Sequence, residues 1–146
     1  MINKGLFTSS RHDWETPQDF FDELDKEFSF DIDVCATPEN TKCKRFFSPE
    51  QDGLKQEWSG TCWMNPPYGK DISKWVKKAH MEALKGTTTV ALLPARTDTR
   101  WFHDYIYGKH EIRFVKGRLK FGGSKVNAPF PNMVVIFRPI KSESMR

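Results

Sequence analysis

The residues best suited to chemistry are Asn65-Pro66-Pro67-Tyr68, which follow a short apolar run, Cys62-Trp63-Met64, and precede Gly69. This pattern predicts a strand that stops abruptly at a rigid, polar, aromatic-tipped loop. Proline has no backbone N–H and holds φ at about −65°. Two in succession leave carbonyl oxygens free to face a ligand. The Asn65 amide both donates and accepts hydrogen bonds, and Tyr68 offers a flat apolar face. Together they suit a planar group that carries an exocyclic amine.

A second chemical position is the acidic Asp33 in Asp33-Val34-Cys35-Ala36. It closes the alternating stretch from Phe28 to Cys35, which predicts a strand. In open α/β sheets, ligands bind beyond the carboxyl ends of the strands. If the two strand ends share one sheet edge, a single crevice holds an acid and an Asn/Tyr clamp.

The elements that must position these groups follow from periodicity. Thr16 is a plausible N-cap with Pro17 at the first helical position, and Phe20, Phe21, Leu24 and Phe28 recur at helical spacing. Ile72, Trp75, Val76, Ala79, Ala83 and Leu84 form a second helical face, stopped by Gly86. A third helical stretch covers 98–107. Thr88–Leu93 is an apolar run of the buried parallel type, and 111–115 and 133–137 predict two more strands. Phe46-Phe47 is a candidate short strand. Strands alternating with helices predict an α/β fold, a mostly parallel sheet with helices on both faces. One domain is expected over 14–138, with a flexible start at 1–13 and a tail at 139–146.

Composition narrows the partners. The 146 residues carry 23 Lys+Arg against 19 Asp+Glu, a net charge of +4 that leans toward a polyanion. Aromatics reach 14%, enough for a dense core or for platforms that stack bases. The three cysteines, Cys35, Cys43 and Cys62, form no disulfide framework and are expected to be inert. No C-x-x-C or H-x-x-x-H spacing supports a structural metal. No signal peptide or membrane span is legible, so a reducing cytoplasm is the expected setting. His103 reads as a surface histidine on its helix.

A wider set of motifs surrounds the clamp. In order they are Trp14-Glu15-Thr16-Pro17, Phe20-Phe21, Asp31–Ala36, Asn40, Lys42-Cys43, Asp52-Gly53-Leu54, Trp63–Gly69, Leu93–Thr99 and Gly117–Phe121. Across roughly residues 13 to 138 this set resembles the compact phage-type DNA N6-adenine methyltransferases. The resemblance implies a reduced Rossmann-like fold and S-adenosylmethionine as cofactor. It implies that Asn65, Pro66, Pro67 and Tyr68 are catalytic. Thr16 and Pro17 match a motif near the methionine end of the cofactor, and Asp33 matches an acid that pairs with its ammonium. Asp52 resembles the acid that holds the cofactor's adenine amine. Cys35, Ala36 and Asn40 fall in the same cofactor-binding loop. That loop departs from the usual pattern, because Ala36-Thr37-Pro38-Glu39 carries no glycine.

The expected substrate is DNA, with adenine N6 as the acceptor. An adenine amine is unreachable inside a duplex, so the base must flip out. Stacking on Tyr68, with Phe121 or Phe130 closing the other face, offsets about 1–3 kcal/mol per base. Arg96, Arg118 and Lys120 are candidate phosphate contacts, in loops at 96–100 and 117–131 that are expected to read a short or relaxed target. The clamp also suits N4-cytosine, RNA adenine or protein glutamine, and a non-catalytic nucleic-acid-binding module of the same fold is the reading from another class. Both monomer and homodimer remain open.

Overall fold

The computed structural model describes residues 15–121 and 127–140. Trp14, Gly122 and Gly123, with segments 1–13 and 141–146, lie outside the described residues. Helix α1 spans Gln18–Phe28 and buries Phe21 and Leu24. Its cap is Pro17, whose carbonyl accepts from Phe21 N–H at 3.1 Å. Thr16 therefore does not cap this helix as the sequence suggested, because its hydroxyl is engaged elsewhere. Ser29 ends the helix in the left-handed region at φ 55°.

Strand β1 is only Ile32–Asp33, shorter than the expected 28–35. Phe28 and Phe30 alternate in sequence, but their rings pack on one another and Phe30 packs on Phe21 and Trp63. Aromatic packing across the helix end thus outweighs the strand pattern. Beyond β1, Phe46 makes a single parallel bridge to Asp33. A 3₁₀ turn at Gly53–Lys55 precedes β2 (Thr61–Met64). Helix α2 (Ile72–Leu84) leads to β3 (Thr88–Pro94), α3 (Arg100–Tyr105), β4 (Glu111–Phe114) and β5 (Asn132–Phe137).

The sheet order is β1-β2-β3-β5-β4. β1, β2 and β3 are parallel neighbours, whereas β5 runs antiparallel to both β3 and β4. The sheet is therefore mixed. β5 alone is reversed, yet its central place makes half the ladders antiparallel. Parallel neighbours need a long crossover. After β4 the chain instead returns through 115–131, which supplies no α-helix among its described residues.

Alternation in β2, β3 and β5 divides the core between the two faces. Cys62, Met64, Ala91, Leu93, Met133, Val135 and Phe137 pack under α2 and α3. Trp63, Val90, Leu92, Val134 and Ile136 pack under α1 together with Phe121 and Ala128. The described parts of the connection, through Phe121 and Ala128, thus cover this face beside α1. Burying each such aliphatic side chain stabilises by about 1.5–3 kcal/mol, which fixes the strand ends that carry the site.

Candidate active site

β1 and β2 pair in register, Ile32 with Cys62 and Asp33 with Trp63. Their carboxyl ends therefore share one sheet edge, and Asp33 and Asn65 meet in one crevice. It opens into a cavity of about 310 Å³, a size suited to a small ligand. Among its walls are Thr16, Asp33, Cys35, Ala36, Asn40, Asp52, Asn65, Pro66 and Pro67. Pro17 is not in the lining; it caps α1 beside it.

Asp33 is 3% exposed. Its carboxylate accepts from Lys42 N–H at 3.0 Å and from Cys35 N–H at 3.2 Å. Burial pushes its pKa up to about 7, against the opposing pull of those two N–H groups and the Lys42 charge. A carboxylate so desolvated gains more than an exposed one when a cation enters beside it.

The glycine-free loop is held by side chains instead. Thr37 N–H donates to Asn40 Oδ1 at 2.8 Å, and Asn40 N–H donates to Thr37 Oγ1 at 3.3 Å. The close approach that glycine normally permits occurs at Gly53, where an added Cβ would sit 2.1 Å from the Val34 carbonyl oxygen. Asp52, at φ 57°, uses its side chain to accept from Leu54 N–H at 3.1 Å. It forms the turn that Asp-Gly pairs favour and lines the cavity as well.

Sequence reasoning missed several walls. Phe47 and Trp75 line the cavity. Phe47 is carried in by its N–H bond to the Asp33 carbonyl at 3.0 Å. Trp75 read as a core residue of α2 and is buried at 8% exposure, but its ring edge lies 3.1 Å from the position of a Gly53 Cβ. The only sequence signal for either is the aromatic excess itself. Lys42 also lines the cavity, its side chain 8% exposed and its Nζ 2.9 Å from Gln18 Oε1.

At the clamp, Asn65 Nδ2 donates to Thr16 Oγ1 at 2.9 Å. This is where the Thr16 hydroxyl is spent. The bond joins the segment before α1 to the loop after β2 and orients the Asn65 amide. Tyr68 lies outside the cavity lining. Its hydroxyl donates to the Leu92 carbonyl at 3.0 Å, and burial raises the phenol above its ordinary range. Phe130 and Phe121 meet the Tyr68 ring edge-on, with centroids at 5.4 and 6.3 Å. Phe121 is buried and Phe130 half-buried.

Arg96, Arg118 and Lys120 are exposed. Arg96 lies over the Phe130 ring at 6.0 Å, and Arg118 donates to the Ala128 carbonyl at 3.3 Å. Cationic groups thus border the aromatic cluster around Tyr68. Burial pushes the Cys35, Cys43 and Cys62 thiols up to about 12, so none is a ready nucleophile. Among the described residues, no cluster of three or more His, Cys, Asp or Glu could hold a metal ion. Within the same residues no helix is long and apolar enough to cross a membrane.

The residues present fit a small cationic amino-acid ligand. The buried Asp33 carboxylate suits an ammonium, and the Gly53 backbone and the Phe47 and Trp75 rings suit a flat, partly apolar group. The family model for DNA N-6-adenine-methyltransferase (Dam) matches residues 5–146. The DNA N-6-adenine-methyltransferase of Haemophilus phage HP1 (strain HP1c1) is 33% identical over 149 residues, which cover 95% of this chain and 86% of that protein. The protein of the same name from Escherichia phage T1 is 34% identical over 110 residues, 73% of this chain and 45% of its relative.

Proposed function

Because the chain belongs to the DNA N-6-adenine-methyltransferase (Dam) family, whose reaction is its own, we propose that the cavity and the Asn65–Tyr68 clamp form its active site. The cofactor in this reading is S-adenosylmethionine, and the acceptor is N6 of an adenine flipped out of DNA. The observation that carries it is the shared crevice of buried Asp33 and the Asn65–Pro67 clamp. The mixed sheet is then a reduced form of the Rossmann-like methyltransferase fold.

When bound, S-adenosylmethionine supplies a methyl group on an electrophilic sulfonium. Asp33 holds the cofactor's ammonium, with Thr16, Pro17 and the Cys35–Asn40 loop around its amino-acid end. Asp52 accepts from its adenine amine. The Asn65 side-chain oxygen and the Pro66 carbonyl accept hydrogen bonds from the target N6–H. Those bonds draw the amine's lone pair out of conjugation with the ring. Positioning of this kind supplies several kcal/mol of a barrier. Tyr68 stacks on the target base, with Phe121 or Phe130 bordering it. Arg96, Arg118 and Lys120 contact the phosphates.

The test is transfer of a labelled methyl group to DNA, RNA and protein offered separately, followed by identification of the modified base. N6-methyladenine in DNA alone is expected. Label appearing only in cytosine, RNA or protein refutes the reading.

A further inference from the structure

Asn132 begins β5, directly opposite Pro94 at the end of β3. It is 1% exposed. Its Nδ2 donates to the Leu93 carbonyl at 3.2 Å and to the Tyr68 hydroxyl at 3.4 Å. The Tyr68 hydroxyl in turn donates to the Leu92 carbonyl at 3.0 Å. One amide therefore joins two consecutive carbonyl positions of β3 to the tip of the clamp.

The residue type follows from this arrangement. Two acceptors on one nitrogen need two hydrogens, which a primary amide supplies and a carboxylate of the same shape does not. The amide orientation is also fixed, since the reverse would set its oxygen against the Leu93 carbonyl oxygen. The Asn132 Oδ1 is buried without a hydrogen-bond partner among the described residues. A site that needed only packing, or only an acceptor, would not select this side chain. A buried amide left half-satisfied is unfavourable in itself, and its position beside Tyr68 is where such a cost has a use.

We propose that Asn132 is a positioning residue, which holds Tyr68 by its hydroxyl so that the ring stays in place to receive the flipped base. The proposal rests on the functional reading of Tyr68 given above. Held between a donor and an acceptor, the phenol oxygen cannot be carried to another χ1 rotamer without breaking both bonds, so the ring as a whole keeps its place. Sequence alone hides the role, because Pro131-Asn132 before an apolar strand looks like an ordinary turn.

The test is a double-mutant cycle of Asn132→Asp and Tyr68→Phe, read by single-turnover methyl transfer and by calorimetry with S-adenosylhomocysteine. Asn132→Asp keeps the volume and leaves at most one donor, the O–H of a carboxyl held neutral by burial, so the two bonds cannot both be kept. It is expected to slow transfer about ten-fold while leaving cofactor affinity within two-fold. In the Tyr68→Phe background, where no hydroxyl remains to be held, the same change should cost less than two-fold. An equal loss in both backgrounds overturns the proposal, as does full activity of Asn132→Asp. If the buried carboxylate unfolds the chain, Asn132→Ala completes the same cycle without a charge, with the same criteria. Failure of the functional reading of Tyr68 is distinguishable, since Tyr68→Ala would then still transfer methyl to DNA adenine at the unsubstituted rate.

Discussion

Cofactor affinity should rise with pH between 5 and 7, and Asp33→Asn should flatten that rise. In the free protein, burial pushes the Asp33 carboxyl up to about 7. Pairing with an ammonium requires the carboxylate, so below pH 7 binding must first expel a proton. Each unit below 7 then weakens binding ten-fold, about 1.4 kcal/mol. At pH 5 affinity should be roughly 100-fold below its plateau above pH 8. Titration calorimetry with S-adenosylhomocysteine at pH 6, in two buffers of different ionisation heat, should report nearly one proton released. The same shift has a stability consequence of definite sign. A raised carboxyl pKa means that the folded state holds the proton longer than the unfolded chain. Stability is therefore full below pH 3.8 and is lost as pH rises to about 7. That loss is of order 4 kcal/mol. Asn at this position keeps one acceptor and forfeits one backbone N–H bond, a cost of about 1–2 kcal/mol. Free Asp33→Asn should thus exceed the unsubstituted protein by about 2 kcal/mol at pH 8, or several degrees in Tm. A pH-independent affinity with no proton release in the unsubstituted protein, or an unchanged slope in Asp33→Asn, would refute the reasoning.

Other expectations test separate parts of the molecule. Asn65→Ala should abolish methyl transfer and leave S-adenosylhomocysteine binding within a few-fold by calorimetry. Gly53→Ala drives a Cβ to 2.1 Å from the Val34 carbonyl oxygen, so backbone must shift. A loss of about 1–3 kcal/mol in stability and at least ten-fold in cofactor affinity is expected from thermal melts and calorimetry. His110 shares a 2.9 Å contact with His80, and burial lowers both, His110 to about 4. Depressed histidine pKa values stabilise at neutral pH and fail as pH falls from 6.5 through 4. With a discount for partial exposure, this is worth about 1–2 kcal/mol. Melts of His110→Gln beside the unsubstituted protein should converge at low pH, which separates this effect from the opposite trend of Asp33. Arg118→Ala should lower the slope of log affinity against log salt for DNA by about one, measured by anisotropy.

Helix α2 and strands β3 and β5 were legible because their patterns are long and unambiguous. β3 is seven residues, buried from Thr89 onward. The direction of β5 was not legible, since an apolar run reads alike in either sense and only the path through 115–131 decides it. β1 was over-read because alternation in Phe28–Cys35 reflects aromatic packing across a helix end. At the site, Asp33 and Asn65 could be found from strand ends alone. Phe47, Gly53 and Trp75 could not, because the 45–47 segment reaches the cavity by bridging to β1 and the 3₁₀ turn by docking on α2. The double use of Thr16 was hidden too. Its position before a proline suggests a cap, and nothing local indicates a partner 49 residues away.

The placement of β5 also bears on how the chain can be made. It is the fifth strand to leave the ribosome, yet it sits between the third and the fourth. Until residue 137 is available, β3 and β4 each present an open edge, and β3 is among the most apolar segments of the protein. Open apolar edges recruit other strands, and domains that await distant pairing partners fold slowly. Strands β1 and β2, whose ends reach the cavity, come first in synthesis order. The strand that locks Tyr68 through Asn132 comes last. The residues that line the cavity therefore all leave the ribosome before Asn132, which bonds to Tyr68. Truncation ahead of β5 is expected to yield aggregation rather than a smaller working enzyme.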